Sequence, residues 1–279
     1  MTTRTSMLSR LSGLHKVSVI PYEETVYELG LSNMQYCSNE YLQEYISSIP
    51  QHPNVLNPHI CILHSQRSST AYYTVSKQGM TLHDFVKSKK VKKSHISDII
   101  LQIINGYIFL IKNRILLTEC SISPKFIWVQ YDISGKLCVY VVNTLEQLSK
   151  DNFGTVNYDK KYWSPELTSR YRSYIGLPID NKSEVNIYKL KRTNTCVSNI
   201  SCVYSIGLII YFITSMHEPL ETNMCRPILT SIIDPVYSDC IIQSTEDKVE
   251  YRPTLDDLKE MVLTISIDQY SGMNCCTTM

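Results

Sequence analysis

The sequence predicts an α+β protein, with a small β-rich part near the N-terminus and a larger helical part behind it. Three observations predict it. Residues 16–31 alternate apolar and polar side chains, as half-buried strands do. Two β-branched and aromatic segments, Ile60–His64 and Ala71–Ser76, follow across a polar Ser/Gln/Arg turn. Beyond residue 81 the long apolar runs have helical spacing. At 279 residues the chain suits one large domain or two packed lobes, long enough to bury most of its apolar surface.

The elements between these landmarks can be justified in order. Ser38 caps a helix over Asn39–Ser48, with Tyr41, Leu42, Tyr45, Ile46 and Ile49 on one side. His52-Pro53-Asn54-Val55-Leu56 forms a turn into the next strand. Lys77-Gln78-Gly79-Met80 reads as a hinge, and Leu82–Lys87 as a short helix. From about Ser94 to Asn113, Ile96, Ile99, Ile100, Ile103, Ile104, Tyr107, Ile108, Leu110 and Ile111 cover most of a helix circumference, which places that helix in a core. Strands Phe126–Tyr131 and Leu137–Val142 flank a Ser134-Gly135 turn. Residues 180–200 are polar and read as an insertion loop. Val203–Ser215 is apolar throughout and suits a central buried helix. The chain from about Ser266 reads as a loose tail.

Bulk composition narrows the function. The hydrophobic fraction of 43% against 19% charged residues excludes a disordered chain. A net charge of +1 supplies no global field to recruit nucleic acid or an anionic membrane. The apolar stretch around Val203 to Ile213, read as the longest, is too short to span a bilayer, so no membrane insertion is expected. The ten cysteines are scattered without a C-x-x-C pair, and the N-terminal Met1 to Ser6 segment has no apolar core. Free thiols in a reducing cytoplasm are the expectation. The seven histidines show no metal-ligand spacing.

The motif that carries most information is Lys161-Tyr162-Trp163-Ser164-Pro165-Glu166, followed by Tyr251-Arg252-Pro253-Thr254-Leu255-Asp256-Asp257-Leu258. This pairing of "SPE" with "RPT" resembles the large-lobe skeleton of the protein kinase fold. The His52-Pro53-Asn54 turn resembles the kinase connection between the small-lobe helix and its fourth strand. The resemblance spans roughly residues 16–263. It implies one bilobal kinase-like domain over 1–279, with an N-lobe at 16–77, a C-lobe at 81–263 and a tail at 264–279. It also implies a buried ion pair between Glu166 and Arg252, because a buried carboxylate needs a bidentate partner.

Phosphoryl transfer depends on a few positioned groups, and each can be sought at its aligned place. Residues 8–24 contain only Gly13, so no glycine-rich phosphate loop is present. The phosphate-pairing strand lysine aligns with Glu28 or Leu29. The helix carboxylate that would steady it aligns with Gln43 or Glu44. The H-R-D-L-x-x-x-N loop aligns with Thr118-Glu119-Cys120-Ser121-Ile122-Ser123-Pro124-Lys125. Cys120 thus stands at the base aspartate, Ile122 at the phosphate-steadying cation, and Lys125 at the metal-binding asparagine, where a cation repels magnesium. The metal-binding D-F-G aligns with Val141-Val142-Asn143-Thr144-Leu145 in either of two registers; neither supplies the aspartate or the glycine, and Asn143 offers one neutral oxygen. Cys202-Val203-Tyr204-Ser205-Ile206-Gly207 resembles "D-V-W-S-F-G" without its aspartate, so the brace between Thr118 and Cys202 is absent. Scaffold positions are kept and chemical positions altered, which resembles a pseudokinase. The expectation is therefore no enzyme activity, no cofactor and no metal.

Some signals have plainer readings. Cys120 reads as a small buried filler rather than a reactive thiol. His52 is a structural turn residue. The run Lys87, Lys89, Lys90, Lys92 and Lys93 reads as a solvated loop, with a grip on acidic partners as the sharper alternative. Tyr158 and Tyr162 lie in the activation segment, where phosphorylation beside Lys160 and Lys161 would dock or release a partner. Chance placement among 20 tyrosines is the plainer reading.

"SPEL" and the "RPT-x-x-x-L" ending are similar to tyrosine-kinase-like members. The single alanine, Ala71, with abundant Ile, Asn, Lys and Tyr, points to an AT-rich genome such as that of a large DNA virus. Together these are similar to the poxvirus homologues of mixed lineage kinase domain-like protein, reduced to the pseudokinase alone. With small-lobe strands opening the chain, no helical bundle is expected ahead of them. The resemblance implies a decoy in the host cytoplasm that binds a host protein kinase domain, the receptor-interacting kinase that triggers necroptosis, and delivers no signal. Two alternatives stand beside it. One is a divergent active kinase using Asp132, Asp151 or Asp159; the other is an allosteric activator of a partner kinase.

Overall fold

The computed structural model describes residues 14–17, 24–32, 38–65, 68–76, 78–115, 122–144, 159–168, 199–220, 229 and 232–274. In chain order the elements are β1 (Leu14–Val17), β2 (Glu24–Ser32), α1 (Asn39–Ser48), β3 (Val55–Leu56), β4 (Ile60–Ser65), β5 (Ser68–Ser76), β6 (Met80–Thr81), α2 (Leu82–Lys87), α3 (Ile96–Lys112), β7 (Ile127–Tyr131), β8 (Leu137–Val142), α4 (Asn199–Ser215), α5 (Ser238–Ser244) and α6 (Leu255–Asn274). The α+β class is as the sequence predicts.

Two sheets organise the N-terminal and central parts. An antiparallel sheet runs β1-β2-β5-β4, with Glu28 opposite Tyr72 and Leu29 opposite Ala71. A second sheet runs β3-β8-β7-β6. Its strand β3 is an addition to the sequence reading. The turn through His52-Pro53-Asn54 extends straight into a parallel pairing of Val55 with Val141 and Leu56 with Val142. His52 holds the turn with Nδ1, which accepts from the Asn54 amide at 3.1 Å, while its ring stacks on Phe109 at 4.6 Å. Asn54 then ties helix to sheet, donating to the Gln102 side chain at 3.1 Å and to the Val139 carbonyl at 3.2 Å.

Local chemistry sets the helix boundaries. Ser38 accepts from the Tyr41 amide and starts α1. Thr81 accepts from the Asp84 amide and donates to the Asp84 carboxylate, which starts α2. Thr254 and Asp257 form a reciprocal capping box that starts α6. A 3-10 turn over Lys93–His95 leads into α3, so the α-helix proper opens at Ile96 rather than Ser94. The helix over 93–112, including that turn, is long and apolar enough to cross a membrane; half of it is buried inside the protein. It exceeds the 203–213 run that the sequence reading takes as longest.

The core is continuous from α1 to α6 and centres on α4, whose residues 202–213 are all buried. That helix begins at Asn199, slightly earlier than its apolar run suggests. Close approach is bought with glycine. A Cβ on Gly207 would lie 2.5 Å from Ser244 Cβ on α5. One on Gly106 would lie 2.6 Å from the Asn54 carbonyl. The expected loose tail is a correction: α6 continues unbroken to Asn274, because no proline interrupts the segment and its only glycine is Gly272.

Substituting Gly207→Ala is expected to cost about 1–3 kcal/mol, because α4 and α5 must separate to admit a methyl group. Equilibrium denaturation checks it; an unchanged midpoint contradicts the close packing.

Candidate functional site

The segment 159–168 places the scaffold pair. Ser164 is buried, and its Oγ accepts from the Leu167 amide, so it caps a helical turn that has Pro165 at its first position. Glu166 follows on that turn. Arg252 Nη1 donates to Glu166 Oε1 at 2.5 Å and Nη2 donates to Oε2 at 3.0 Å. The pair is bidentate and spans 86 residues. The Arg252 side chain is wholly enclosed, whereas Glu166 keeps 19% exposure. Arg252 also donates to the Glu246 and Asp247 carbonyls at 2.6 and 3.1 Å and packs over the Tyr204 ring at 4.8 Å. A cation without water is tolerated here because every side of it is satisfied. The pair anticipated from sequence therefore forms.

The residues that the sequence resemblance aligns with chemical stations make structural contacts. Asn143 ends β8 and is 2% exposed. Its side-chain amide donates to Asn57 Oδ1 at 3.0 Å, and its carbonyl accepts from the Tyr73 hydroxyl at 2.7 Å. Asn57 continues the chain of bonds to the Pro50 carbonyl at 3.2 Å. Burial holds the Tyr73 phenol far above its ordinary value, so it stays a donor. Of the two residues at the small-lobe helix station, Gln43 turns inward and donates to the Cys61 carbonyl at 2.7 Å, and Glu44 is exposed. Ile122 is fully buried, as is Cys202, a cysteine of α4 outside any disulfide. Thr118, Cys120, Asp151 and Tyr158 lie outside the described residues.

Lys125 sits on the 3-10 turn Pro124–Phe126, and its Nζ lies 3.3 Å from Asp159 Oδ2. It is the first member of a chain of charges. Lys161 Nζ lies 3.6 Å from Asp159 Oδ1 and donates to Glu218 Oε2 at 2.6 Å. Glu218 Oε1 lies 2.6 Å from His83 Nε2, and His83 Nδ1 lies 3.2 Å from Asp84 Oδ1. Four segments meet in this network: the start of α2, the turn before β7, the 3-10 turn at 160–162 and the residues after α4. Hydrogen bonds from Asp84 and Glu218 outweigh burial and push His83 up to about 9. The imidazolium then donates from both ring nitrogens. His83, with Lys161 adding, pulls Glu218 down to about 2. The sequence reading missed this network. His83 and Glu218 are 135 residues apart, and no spacing rule pairs them.

These residues do not fit a metal-nucleotide site. The amide of Asn143 is committed to Asn57, and the ammonium of Lys125 lies against the Asp159 carboxylate. Asp132 directs its carboxylate to Ser134 and the Lys136 amide within its own turn. Asp159 faces two lysines. Among the described residues no group of three His, Cys, Asp or Glu side chains is arranged to hold a metal.

Tyr162 is a correction. It is fully buried, edge-on to Phe212 at 6.5 Å, and its hydroxyl has no hydrogen-bond partner among the described residues. Burial, then Asp159 and Glu218, holds its phenol well above the ordinary value. A modifying enzyme has no access to it in this conformation.

No protein-family model matches the chain, and no curated protein matches it by sequence. Among solved structures 1825 chains match by fold. One is a crystal structure of the protein kinase Rad53, residues 1–466, in complex with AMP-PNP. The TM-score is 0.56 at 12% identity, over 89% of this chain and 64% of that one. The architecture is a bilobal protein kinase-like fold. This chain spans less than two thirds of the length of that neighbour.

Two outcomes are expected. Arg252→Met strands Glu166 and is expected to cost about 3–5 kcal/mol, with part regained in Arg252→Met/Glu166→Leu; a double variant as unstable as the single contradicts the coupling. His83 has a raised folded pKa, so its contribution is complete below pH 6.5 and lost as pH rises through about 9. Wild type is therefore expected to exceed His83→Gln in stability by at most about 3 kcal/mol at pH 6. The gap should close by pH 10, and a gap independent of pH contradicts the network.

Proposed function

We propose that this chain is a catalytically inactive kinase-fold protein that binds a host protein kinase domain and withholds it from its signalling partners. The observation that carries the reading is the pairing of Lys125 with Asp159, at the residue that the sequence resemblance aligns with the metal-binding asparagine. A cation at that place opposes magnesium by Coulomb repulsion. The commitment of Asn143 to Asn57 and Tyr73 supports the same reading. A protein that has the scaffold without these groups acts by contact, and its effect is set by affinity and concentration. The partner to which the sequence resemblance points is the receptor-interacting kinase of necroptosis. The consequence would be a block on host cell-death signalling.

Two measurements test this. Magnesium-ATP is expected to leave the melting temperature unchanged, with no phosphate transferred to a generic substrate; a stabilisation abolished by chelation overturns the inactive reading. Affinity capture from transfected cells is expected to recover a kinase whose activity falls on binding. Recovery of no kinase, or a rise in the partner's activity, overturns the decoy.

A further inference from the structure

A second surface lies at the hinge. Residues 78–80, β7 and α2 enclose an open cavity of about 530 Å³. Its apolar wall is Met80, Phe85, Val129 and Tyr131, and Gln130 and Lys90 supply its polar groups. The wall is built into the fold. Gln130 Oε1 accepts from the Trp128 indole at 3.0 Å and from the Ser76 amide at 3.1 Å. Gly79 lies so close to that indole that a Cβ would approach its Nε1 to 2.5 Å.

The cavity opens beside the basic run that the ion network leaves unused. Lys89 has φ 56°, in the left-handed region, and ends α2 with its amide donating to the Val86 carbonyl at 2.9 Å. The chain turns there, and Lys90 lines the cavity. Lys89, Lys90, Lys92 and Lys93 are all exposed, and none has a carboxylate partner among the described residues. Lys87 differs, since its ammonium lies over the Phe212 ring at 5.7 Å. Asp132, next to the wall residue Tyr131, has its carboxylate bonded within its own turn. Lys90 therefore brings a cation to the apolar wall, and the exposed Lys89, Lys92 and Lys93 flank it in the chain.

We propose that this hinge-side cavity is a docking site for an acidic segment of a partner protein that inserts one apolar side chain. The charge complement selects the acidic segment. The recessed wall selects an anchoring side chain, since a pocket of a few hundred cubic ångströms buries a side chain rather than a flat surface. A free polyanion would engage the lysines and leave the wall empty. An anionic bilayer is served by several protruding apolar groups, and of this wall only Tyr131 is exposed. The inference rests on the binding-module reading only in that the occupant belongs to a protein.

The test uses a fluorescein-labelled peptide of alternating glutamate and serine with one central leucine, followed by anisotropy against the whole chain. Binding is expected, weakening as salt rises. Lys90→Glu/Lys92→Glu and, separately, Tyr131→Ala are each expected to weaken it about tenfold or more, with melting curves confirming that the variants fold. Control peptides with serine for leucine, or serine for glutamate, are expected to bind at least tenfold more weakly. Equal binding of the leucine-free peptide, or indifference to Tyr131→Ala, leaves ion exchange alone and overturns the proposal. So does tight binding of acidic-phospholipid vesicles through these lysines without peptide binding. The assay contains no kinase. Peptide binding without kinase capture removes the decoy reading and leaves this one standing; kinase capture without peptide binding does the reverse.

Discussion

Arg252 carries a charge that water does not reach, and the C-terminal half of the fold is organised around satisfying it. Its guanidinium meets the Glu166 carboxylate in parallel, two carbonyls from residues 246 and 247, and the face of Tyr204. Those groups come from the turn after residue 164, from the loop before α6 and from α4. Each alone would be an expensive thing to bury. Together they fix how three elements sit against one another, and the capped start of α6 follows directly from Arg252 and Pro253. A single planar fork with five donors does this; an ammonium on a flexible stem does not.

Around that anchor, the residues that the sequence resemblance aligns with kinase stations make contacts that hold the fold together. Asn143 clips the end of β8 to the residues after α1 through Asn57, and receives Tyr73 from the other sheet. Gln43 bonds a strand carbonyl. Lys125 enters a run of alternating charges that reaches Asp84 by way of Asp159, Lys161, Glu218 and His83. Substituting a charged or metal-binding group creates a burial problem for its neighbours, and these contacts are the local solutions.

The architecture was largely legible in the sequence, and physical reasons separate what was from what was not. The caps of α1 and α2 and the extent of β8 follow from local rules, and Asn39–Ser48, Leu82–Lys87 and Leu137–Val142 stand at their anticipated limits. The Glu166–Arg252 pair was legible because two motifs marked its ends. The charge network was not, since its members are brought together only by tertiary packing. The inward aim of Tyr162 was equally hidden, because a three-residue turn does not reveal which side meets α4. The polar residues after Ser266 suggested a tail, and helical continuation overrode composition.

The hydrogen bond from Tyr73 to the Asn143 carbonyl joins β5 to the end of β8, and so one sheet to the other across the cleft. An enzyme of this shape must breathe between turnovers, and a buried latch of this kind would oppose release of its product. The binding role proposed above has the opposite requirement. Holding its halves in one posture beforehand lowers the conformational entropy lost when a second molecule settles against it.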